Sequence, residues 1–330
     1  MASIDRVPLG RTGLQVPPIA VGCAELANMP EAFGYAVPED QAFATVRAAL
    51  AGPLNYIDTA AWYGNGESER RIGIVLRELG GLPEGAILET KAGRDPEGDD
   101  YQPETVKRRF ERSLDLLGVE KVHICLIHDA EWSTFADIMA PGGVMEILQE
   151  YKRQGVIKAL GIAAGPVDLS MQFVQTGMLD LLLTHNRYTL LNRTADAVQK
   201  EAKRRGMGVL NAAPFGSGIL AKGPDEYARY AYQAASPDVV AVTRRMQEIC
   251  DSYGVPLAAA ALQFSMLDPN VDVTIVGMSR PERIQQTIDL AQVVIPEQLW
   301  AEMADLPTFD DDPEKDRWNV PLPYRMSAAD

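Results

Sequence analysis

Short apolar segments alternate with longer amphipathic ones along most of the chain, and this alternation constrains the fold more than any other feature. Eight of the short segments are rich in Val, Ile and Leu. They cover residues 19–22, 55–58, 86–90, 123–128, 157–163, 179–185, 208–213 and 273–277. Strands that are buried on both faces of a parallel sheet have this composition. The sequence therefore predicts eight parallel strands.

A segment with helical periodicity follows each predicted strand. In residues 103–117, for example, Val106, Phe110, Leu114 and Leu117 share one face of a helix. The other predicted helices cover residues 38–50, 69–79, 143–154, 168–176, 194–205, 237–252 and 281–292. Eight strand–helix units predict an α/β protein with a (β/α)8 TIM barrel. A doubly wound open sheet is the alternative, but no Gly-x-Gly-x-x-Gly sequence follows a predicted strand.

Three segments are additions to this repeating pattern. Residues 6–16 resemble a β-hairpin that caps the barrel, and residues 257–267 form an extra helix before the last strand. The tail, residues 309–330, is acidic and then rich in proline and aromatic residues. This tail either covers the barrel mouth or is partly disordered. Because no linker interrupts the pattern, we expect residues 1–330 to form a single domain.

Composition and charge restrict the possible partners and the compartment. The formal net charge is -15, which argues against a nucleic acid or an anionic membrane as a partner. The 3 cysteines favour a reducing compartment, and no pair has the spacing of a zinc site. Residues 1–13 lack the apolar core of a signal peptide, and residues 257–267 are too short to span a bilayer. We expect a cytoplasmic protein without a metal site, and nothing in the sequence indicates its oligomeric state.

Three ionisable side chains stand at the ends of consecutive predicted strands. Asp58 ends the second strand, Lys91 follows the third and His128 ends the fourth, whereas Tyr63 lies on the loop after Asp58. The active sites of such barrels lie at these C-terminal strand ends. Ionisable groups that are buried need partners, so mutual pairing is expected. Each of the four has an ordinary structural explanation when taken alone, but together they predict a shared site.

These four side chains are suited to proton transfer. The unperturbed pKa of a tyrosine hydroxyl is about 10, and a lysine cation beside it favours the phenolate and lowers that pKa. An aspartate keeps the lysine charged, and a histidine can hold a substrate oxygen. We therefore predict an oxidoreductase that interconverts a carbonyl and an alcohol, with hydride supplied by a cofactor.

A longer motif surrounds the predicted tyrosine. Residues 58–69 read Asp-Thr-Ala-Ala-Trp-Tyr-Gly-Asn-Gly-Glu-Ser-Glu, a stretch that resembles the signature of the aldo-keto reductases. Residues 9–14 resemble the N-terminal hairpin of the same family. The resemblance implies that Tyr63 is the general acid/base, that Asp58 and Lys91 tune it, and that His128 orients the substrate oxygen. The candidate substrate contacts are Trp62, Trp132 and Asn186.

The same resemblance implies a nicotinamide dinucleotide that lies across the barrel mouth. Residues 275–287 resemble the loop and helix that hold the adenosine phosphate, and residues 214–220 resemble the loop that covers the pyrophosphate. The candidate cofactor contacts are His185, Phe215, Ser217, Gly277, Ser279, Arg280, Arg283, Gln286 and Thr287. The two arginines favour NADP slightly over NAD, since Arg283 matches the residue that commonly meets the 2′-phosphate.

Several positions depart from the common family pattern. Gly277 stands where many NADP-preferring members have a lysine, and Ala163 and Ala164 stand where Ser-Asn usually holds the nicotinamide amide. His185 replaces a glutamine, and Ala212 replaces a stacking aromatic residue. These departures resemble the branch that contains sugar 1-dehydrogenases. The implied reaction is the oxidation of an aldose at its anomeric carbon to a lactone, or the reduction of another small aldehyde.

Two other functions are compatible with the same residues. Lys91 could act as a Schiff-base nucleophile in a barrel aldolase, which would need no nicotinamide. Alternatively, the protein could hold the cofactor without significant turnover, as regulatory members of the family do. A small sugar or aldehyde is the partner expected from the leading hypothesis.

Overall fold

The computed structural model of the protein describes residues 4–95 and 100–315. The strands of this part, numbered along the chain, are β1 (Val7–Pro8), β2 (Gln15–Val16), β3 (Ile19–Gly22), β4 (Tyr56–Asp58), β5 (Ile87–Ala92), β6 (Val122–His128), β7 (Ile157–Ala163), β8 (Leu181–His185), β9 (Gly208–Ala212), β10 (Arg229–Tyr230), β11 (Gln233–Ala234) and β12 (Val273–Gly277). Strands β3 to β9 and β12 are parallel and form a closed barrel, in which β12 pairs with both β9 and β3. The predicted TIM barrel is confirmed.

Helices surround this barrel and follow the predicted order. They are α1 (Pro30–Phe33), α2 (Glu39–Ala51), α3 (Glu67–Glu78), α4 (Pro103–Leu117), α5 (Phe135–Met139), α6 (Val144–Arg153), α7 (Val167–Gln175), α8 (Asp196–Arg204), α9 (Ile219–Lys222), α10 (Pro237–Ser252), α11 (Leu257–Met266), α12 (Glu282–Gln292) and α13 (Glu297–Ala304). Helix α4 shows why the predicted bounds agree with the structure. Proline occupies its first turn, and Gly118 ends it in the left-handed conformation, with φ 69°. The extra helix before the last strand is α11.

The N-terminal hairpin, β1 and β2, closes the end of the barrel opposite the strand C-termini. Leu9 is completely buried in the interior cluster, together with Tyr56 and Leu181. Gly10 has a φ of +48°, and a β-carbon there would lie 2.1 Å from the backbone nitrogen of Gly208. Only glycine fits this close approach, which seals the apolar interior.

Several elements differ from the prediction. The third barrel strand, β5, extends to Ala92, so Lys91 lies within the strand rather than after it. The last barrel helix, α12, begins at Glu282, one residue later than predicted. The β10–β11 hairpin and the helices α1, α5, α9 and α13 are not predicted. The strands of this hairpin are two residues long, too short to show an alternating pattern.

The first part of the tail, residues 309–315, packs over the loop that follows β8. The side-chain amide of Asn192 donates a hydrogen bond of 2.7 Å to the carbonyl of Phe309, and the guanidinium of Arg187 lies 2.7 Å from the carboxylate of Asp312. This segment therefore covers part of the barrel mouth. The rest of the predicted tail, residues 316–330, lies outside the described residues. In the described part of the chain, no helix has the length and apolar character needed to cross a membrane.

Candidate functional site

A cavity of about 590 Å³ lies at the C-terminal ends of the barrel strands. All four predicted catalytic residues line it, namely Asp58, Tyr63, Lys91 and His128. The barrel brings them together because β4, β5 and β6 are neighbours in the sheet and run in the same direction. Their C-terminal ends therefore open into one space.

Lys91 is the centre of this cluster. Its Nζ donates hydrogen bonds to the carboxylate of Asp58, to the carbonyl of Thr59 at 2.9 Å and to the hydroxyl of Tyr63 at 3.2 Å. The side chain is 2% exposed. Burial alone would lower the pKa of Lys91, but the Asp58 carboxylate, together with smaller contributions from Tyr63 and Glu89, raises the pKa above its usual value. The amine is therefore a cation held between the carboxylate and the phenol.

The loop after β4 returns the hydroxyl of Tyr63 to this cation. Gly64 and Asn65 both have positive φ, 59° and 52°, which makes the turn tight. Arg109 of α4 holds the turn by donating to the side-chain oxygen of Asn65 and to the carbonyl of Ala61, each at 2.6 Å. The position of the phenol is thus fixed by a buried arginine.

The protonation of Tyr63 differs from the expectation based on lysine alone. Burial raises the pKa of Tyr63 above its usual value, and the Lys91 cation opposes this shift without reversing it. At neutral pH the group is therefore a phenol that can donate its proton. The nearby cation stabilises the phenolate that remains after the proton has been given up.

His128 faces the tyrosine from the end of β6. The centroids of the two rings are 5.9 Å apart, and their planes are nearly perpendicular. The carbonyl of His128 accepts a hydrogen bond of 2.7 Å from Tyr101, which fixes the strand end. Burial lowers the pKa of His128 to about 4. The imidazole is therefore neutral at physiological pH and can donate one N–H to a substrate oxygen.

A second buried carboxyl group lies below the cluster. Glu89 is fully buried in β5, two residues before Lys91, and its carboxyl group accepts a hydrogen bond from the hydroxyl of Tyr56. Burial raises the pKa of Glu89 well above its usual value, and the negative charge of Asp58 adds to this effect. Sequence reasoning missed this residue. The signal was the Glu-x-Lys spacing in a buried strand, since residues two apart point to the same side.

The other half of the cavity holds the predicted cofactor contacts. All nine line the cavity, namely His185, Phe215, Ser217, Gly277, Ser279, Arg280, Arg283, Gln286 and Thr287. Helix α12 begins there, so the positive end of its dipole lies beside the two arginines. This set of donors is suited to phosphate groups. An apolar floor, made by Ala163, Leu183, Ala212 and Ile275, leads from there towards the catalytic tetrad, the name used below for Asp58, Tyr63, Lys91 and His128. The residues present therefore fit a dinucleotide.

One acidic side chain in this half was not expected. Glu25, from the loop after β3, lines the cavity and lies directly against Gly277. A β-carbon on Gly277 would lie 2.0 Å from Oε1 of Glu25. Burial raises the pKa of Glu25 to about 7. Many NADP-preferring members of the family have a lysine at the position of Gly277. In this protein the carboxyl group of Glu25, which can carry a negative charge, occupies the space beside Gly277.

The three candidate substrate residues differ in position. Trp62 lines the cavity, but Trp132 and Asn186 do not. The guanidinium of Arg94 lies 3.9 Å from the ring centroid of Trp62 and 3.6 Å from that of Trp132, so this cation joins the two indoles. Asn186 is fully buried and donates a hydrogen bond of 3.0 Å to Glu314. It supports the wall rather than forming its surface.

Comparison with known proteins identifies the family. The sequence model of the aldo/keto reductase family matches residues 18–307. The chain belongs to this family. It is therefore an NAD(P)-dependent oxidoreductase, and its barrel with the N-terminal hairpin is the fold of aldo/keto reductases of known structure.

Relatives of this aldo/keto reductase match it over most of their length. Pyridoxal 4-dehydrogenase of Microbacterium luteolum is 31% identical over 90% of this chain and 95% of that protein. D-threo-aldose 1-dehydrogenase of a Pseudomonas species is 30% identical, with coverage of 89% and 94%. L-galactose dehydrogenase of Arabidopsis thaliana is 30% identical, with coverage of 87% and 88%. Among solved structures, an aldo-keto reductase of Bacillus halodurans in its holo form has a TM-score of 0.75, with 20% identity and coverage of 94% and 100%.

Proposed function

We propose that this aldo/keto reductase oxidises a neutral aldose at its anomeric carbon to the lactone, with NAD or NADP as the hydride acceptor. The observation that carries the proposal is the contact of the Lys91 ammonium with both the Asp58 carboxylate and the Tyr63 hydroxyl, beside a neutral His128. Two of the relatives named above are sugar dehydrogenases, which supports the choice of substrate class.

The roles of the side chains follow from their protonation. The nicotinamide dinucleotide, held by Arg280, Arg283 and the start of α12, would supply the acceptor for the hydride of the anomeric carbon. The N–H of His128 holds the anomeric oxygen. The oxygen of Tyr63, after its own proton has passed to solvent, takes the proton that leaves the anomeric hydroxyl. Lys91 stabilises the phenolate form needed for this step, and Asp58 keeps Lys91 charged and in place. In the reductive direction Tyr63 gives its proton to the carbonyl oxygen.

Acidic groups around the mouth favour a neutral, hydroxyl-rich substrate. Asp129, Glu131 and Glu314 all line the cavity. Burial raises the pKa of Glu131 to about 8, so this group can donate as well as accept a hydrogen bond near neutral pH. A sugar phosphate or sugar acid would meet repulsion from the carboxylates, whereas sugar hydroxyls can donate to them.

The test is the appearance of reduced nicotinamide when the purified protein is mixed with NAD or NADP and a panel of aldoses, including L-fucose and L-galactose, together with pyridoxal. We expect turnover of at least one neutral sugar and little turnover of the matching sugar phosphate. Turnover of pyridoxal or of aldehydes alone would overturn the aldose assignment and leave the hydride-transfer chemistry in place. No turnover in either direction, despite cofactor binding, would favour a regulatory cofactor-binding protein.

The aldolase alternative is disfavoured by the state of Lys91. A Schiff-base lysine must be an unprotonated amine when it attacks a carbonyl. Here Asp58 raises the pKa of Lys91, and three oxygen atoms surround the ammonium. Borohydride trapping of a covalent adduct with substrate would revive this alternative.

The choice between NAD and NADP depends on opposing charges. Arg280 and Arg283 favour the additional phosphate of NADP, whereas the carboxylate of Glu25 opposes it and can accept a hydrogen bond from a ribose hydroxyl. We expect Glu25→Gln to improve the affinity for NADP relative to NAD by about tenfold, because one negative charge is removed near the bound phosphate. Fluorescence titration of both cofactors measures the ratio.

The matched control for this change is Glu31→Gln, which removes an equal charge from an exposed position of α1. The control should leave the NADP/NAD ratio unchanged. An equal response of the ratio to both variants would indicate a general effect of net charge and would remove Glu25 from cofactor selection.

A further inference from the structure

Two carboxyl groups lie side by side next to Lys91. Asp58 on β4 pairs in register with Glu89 on β5, and paired residues of neighbouring parallel strands project to the same face of the sheet. That face is the barrel interior, since Tyr56, two residues before Asp58, belongs to the interior apolar cluster. Glu89 has no exposed surface, and Asp58 is 4% exposed. The two carboxyl groups therefore share one buried space.

The Lys91 ammonium is committed to other partners. An ammonium group has three N–H donors. Those of Lys91 contact the carboxylate of Asp58, the carbonyl of Thr59 and the hydroxyl of Tyr63. These contacts leave no N–H of Lys91 for Glu89. Two neighbouring carboxyl groups that share one cation in a buried space do not both ionise, because their like charges repel each other.

The contacts of Glu89 indicate which of its oxygens carries a proton. Oε2 accepts a hydrogen bond from the hydroxyl of Tyr56. Oε1 accepts no hydrogen bond from the described part of the chain, although it is buried. A buried carboxylate oxygen without a donor is costly, whereas a protonated oxygen at the same place is itself a donor. The carboxylate of Asp58 is the neighbouring acceptor.

The groups that surround Glu89 agree with a neutral acid. The titratable or charged ones among the described residues are Tyr56 and Asp58 on β4, Lys91 on β5 and Cys125 on β6. Burial raises the pKa of Tyr56 and that of Cys125, so both are neutral near pH 7. The residue of β6 that pairs with Glu89 is the apolar Ile124. Burial also raises the pKa of Glu89, and the charge of Asp58 adds to this shift.

We propose that Glu89 is a carboxylic acid that donates a hydrogen bond to the Asp58 carboxylate. This bond draws part of the negative charge of Asp58 away from Lys91, so the cation stabilises the phenolate of Tyr63 more strongly. Glu89 is thus a positioning residue, which acts through Asp58 and Lys91 and touches no substrate. The inference rests on the proposed proton transfer by Tyr63.

Infrared difference spectroscopy tests the protonation of Glu89 without substrate or turnover. Glutamine is a suitable replacement because its amide can accept from Tyr56 and donate to Asp58. The spectrum of the wild type minus that of Glu89→Gln, recorded near neutral pH, should contain the carbonyl stretch of a protonated carboxylic acid. The stretches of a carboxylate in its place would show that Glu89 is ionised and would overturn the proposal.

The rate of hydride transfer tests the consequence for Tyr63. Glu89→Leu removes the donor, and we expect it to lower the single-turnover rate of nicotinamide reduction by about threefold to tenfold, because less phenolate is present at a given pH. The rising part of the pH profile should move to higher pH, while KM changes by less than about twofold. Glu89→Gln restores a donor and should recover most of the rate. A wild-type pH profile in Glu89→Leu, or an equal loss in the glutamine variant, would overturn the proposal.

Tyr56→Phe is the matched control. It removes the other hydrogen bond of Glu89 and leaves the donor to Asp58 in place, so its pH profile should follow that of the wild type. A shift equal to that of Glu89→Leu would assign the effect to packing in the barrel interior and would overturn the proposal. If Glu89→Leu does not fold, the double variant with Tyr56→Phe replaces it, since no buried hydroxyl then lacks an acceptor.

Failure of the aldose assignment is distinguishable from these results. The kinetic test uses any substrate that the wild type turns over, in either direction, and the infrared test uses none. The protonation of Glu89 is therefore decided whether or not a sugar is the substrate.

Discussion

Replacement of Tyr63 by phenylalanine is expected to lower kcat by about 10²- to 10⁴-fold while cofactor affinity stays within a factor of about two, since proton transfer by a positioned group contributes an effect of that size. The change removes one hydroxyl and retains the ring that packs beside His128. Lys91 keeps its bonds to Asp58 and to the carbonyl of Thr59, so the cation remains in place. Steady-state kinetics and cofactor titration measure the two quantities.

A suitable control is Tyr151→Phe, which removes a surface hydroxyl that donates to Glu111 at 2.6 Å. Its kcat should be close to that of the wild type. Retention of full activity by Tyr63→Phe would rule out the proton-transfer role of this hydroxyl. A loss of cofactor affinity equal to the loss of kcat would instead point to a damaged cavity.

Replacement of Lys91 by methionine is expected to destabilise the fold by about 3 to 5 kcal/mol and to abolish activity, because it leaves Asp58 buried without its counter-ion. Both side chains of this ion pair are at most 5% exposed. The loss should be larger at pH 8 than at pH 6. The stranded carboxylate must take up a proton to remain buried, and that uptake becomes easier as the pH falls. Urea unfolding at the two pH values measures the effect.

Lys200→Met is the control for this second change. Lys200 forms an exposed pair with Asp196 on α8, with 60% of its side chain accessible. Its loss should leave the free energy of unfolding nearly unchanged at either pH, as exposed pairs contribute little. Equal destabilisation by the two variants would contradict the prediction. It would mean that the Asp58 carboxylate does not need the Lys91 ammonium as a counter-ion.

The sequence predicted the barrel and the position of the tetrad for related physical reasons. Parallel strands buried on both faces produce continuous apolar segments, so an ionisable residue at the end of one stands out. Asp58, Lys91 and His128 are ionisable residues of this kind. Because the strands form a closed parallel barrel, the C-terminal ends of neighbouring strands lie close together. The hairpin of residues 6–16 and the helix of residues 257–267 were predicted from local turn and helix signals, and the family resemblance of residues 9–14 supported the hairpin.

What the sequence did not predict depends on contacts between distant segments. Glu314 reaches His185 across more than a hundred residues, and no periodic pattern marks such a contact. Glu25 lies on a short loop, where an acidic residue is ordinarily exposed to solvent. The upward pKa shift of Tyr63 was also not predicted, because the sequence shows the neighbouring cation and does not show the degree of burial.

The close packing of Glu25 on Gly277 makes these two positions dependent on each other during evolution. Any side chain at 277 would overlap the carboxylate, which lies 2.0 Å from the position of a β-carbon. A lysine at 277 therefore requires the end of the Glu25 side chain to move away from its present place. The effects of the two substitutions should be strongly non-additive in a double-mutant cycle. Selection on the residue at 277 therefore also acts on the residue at 25.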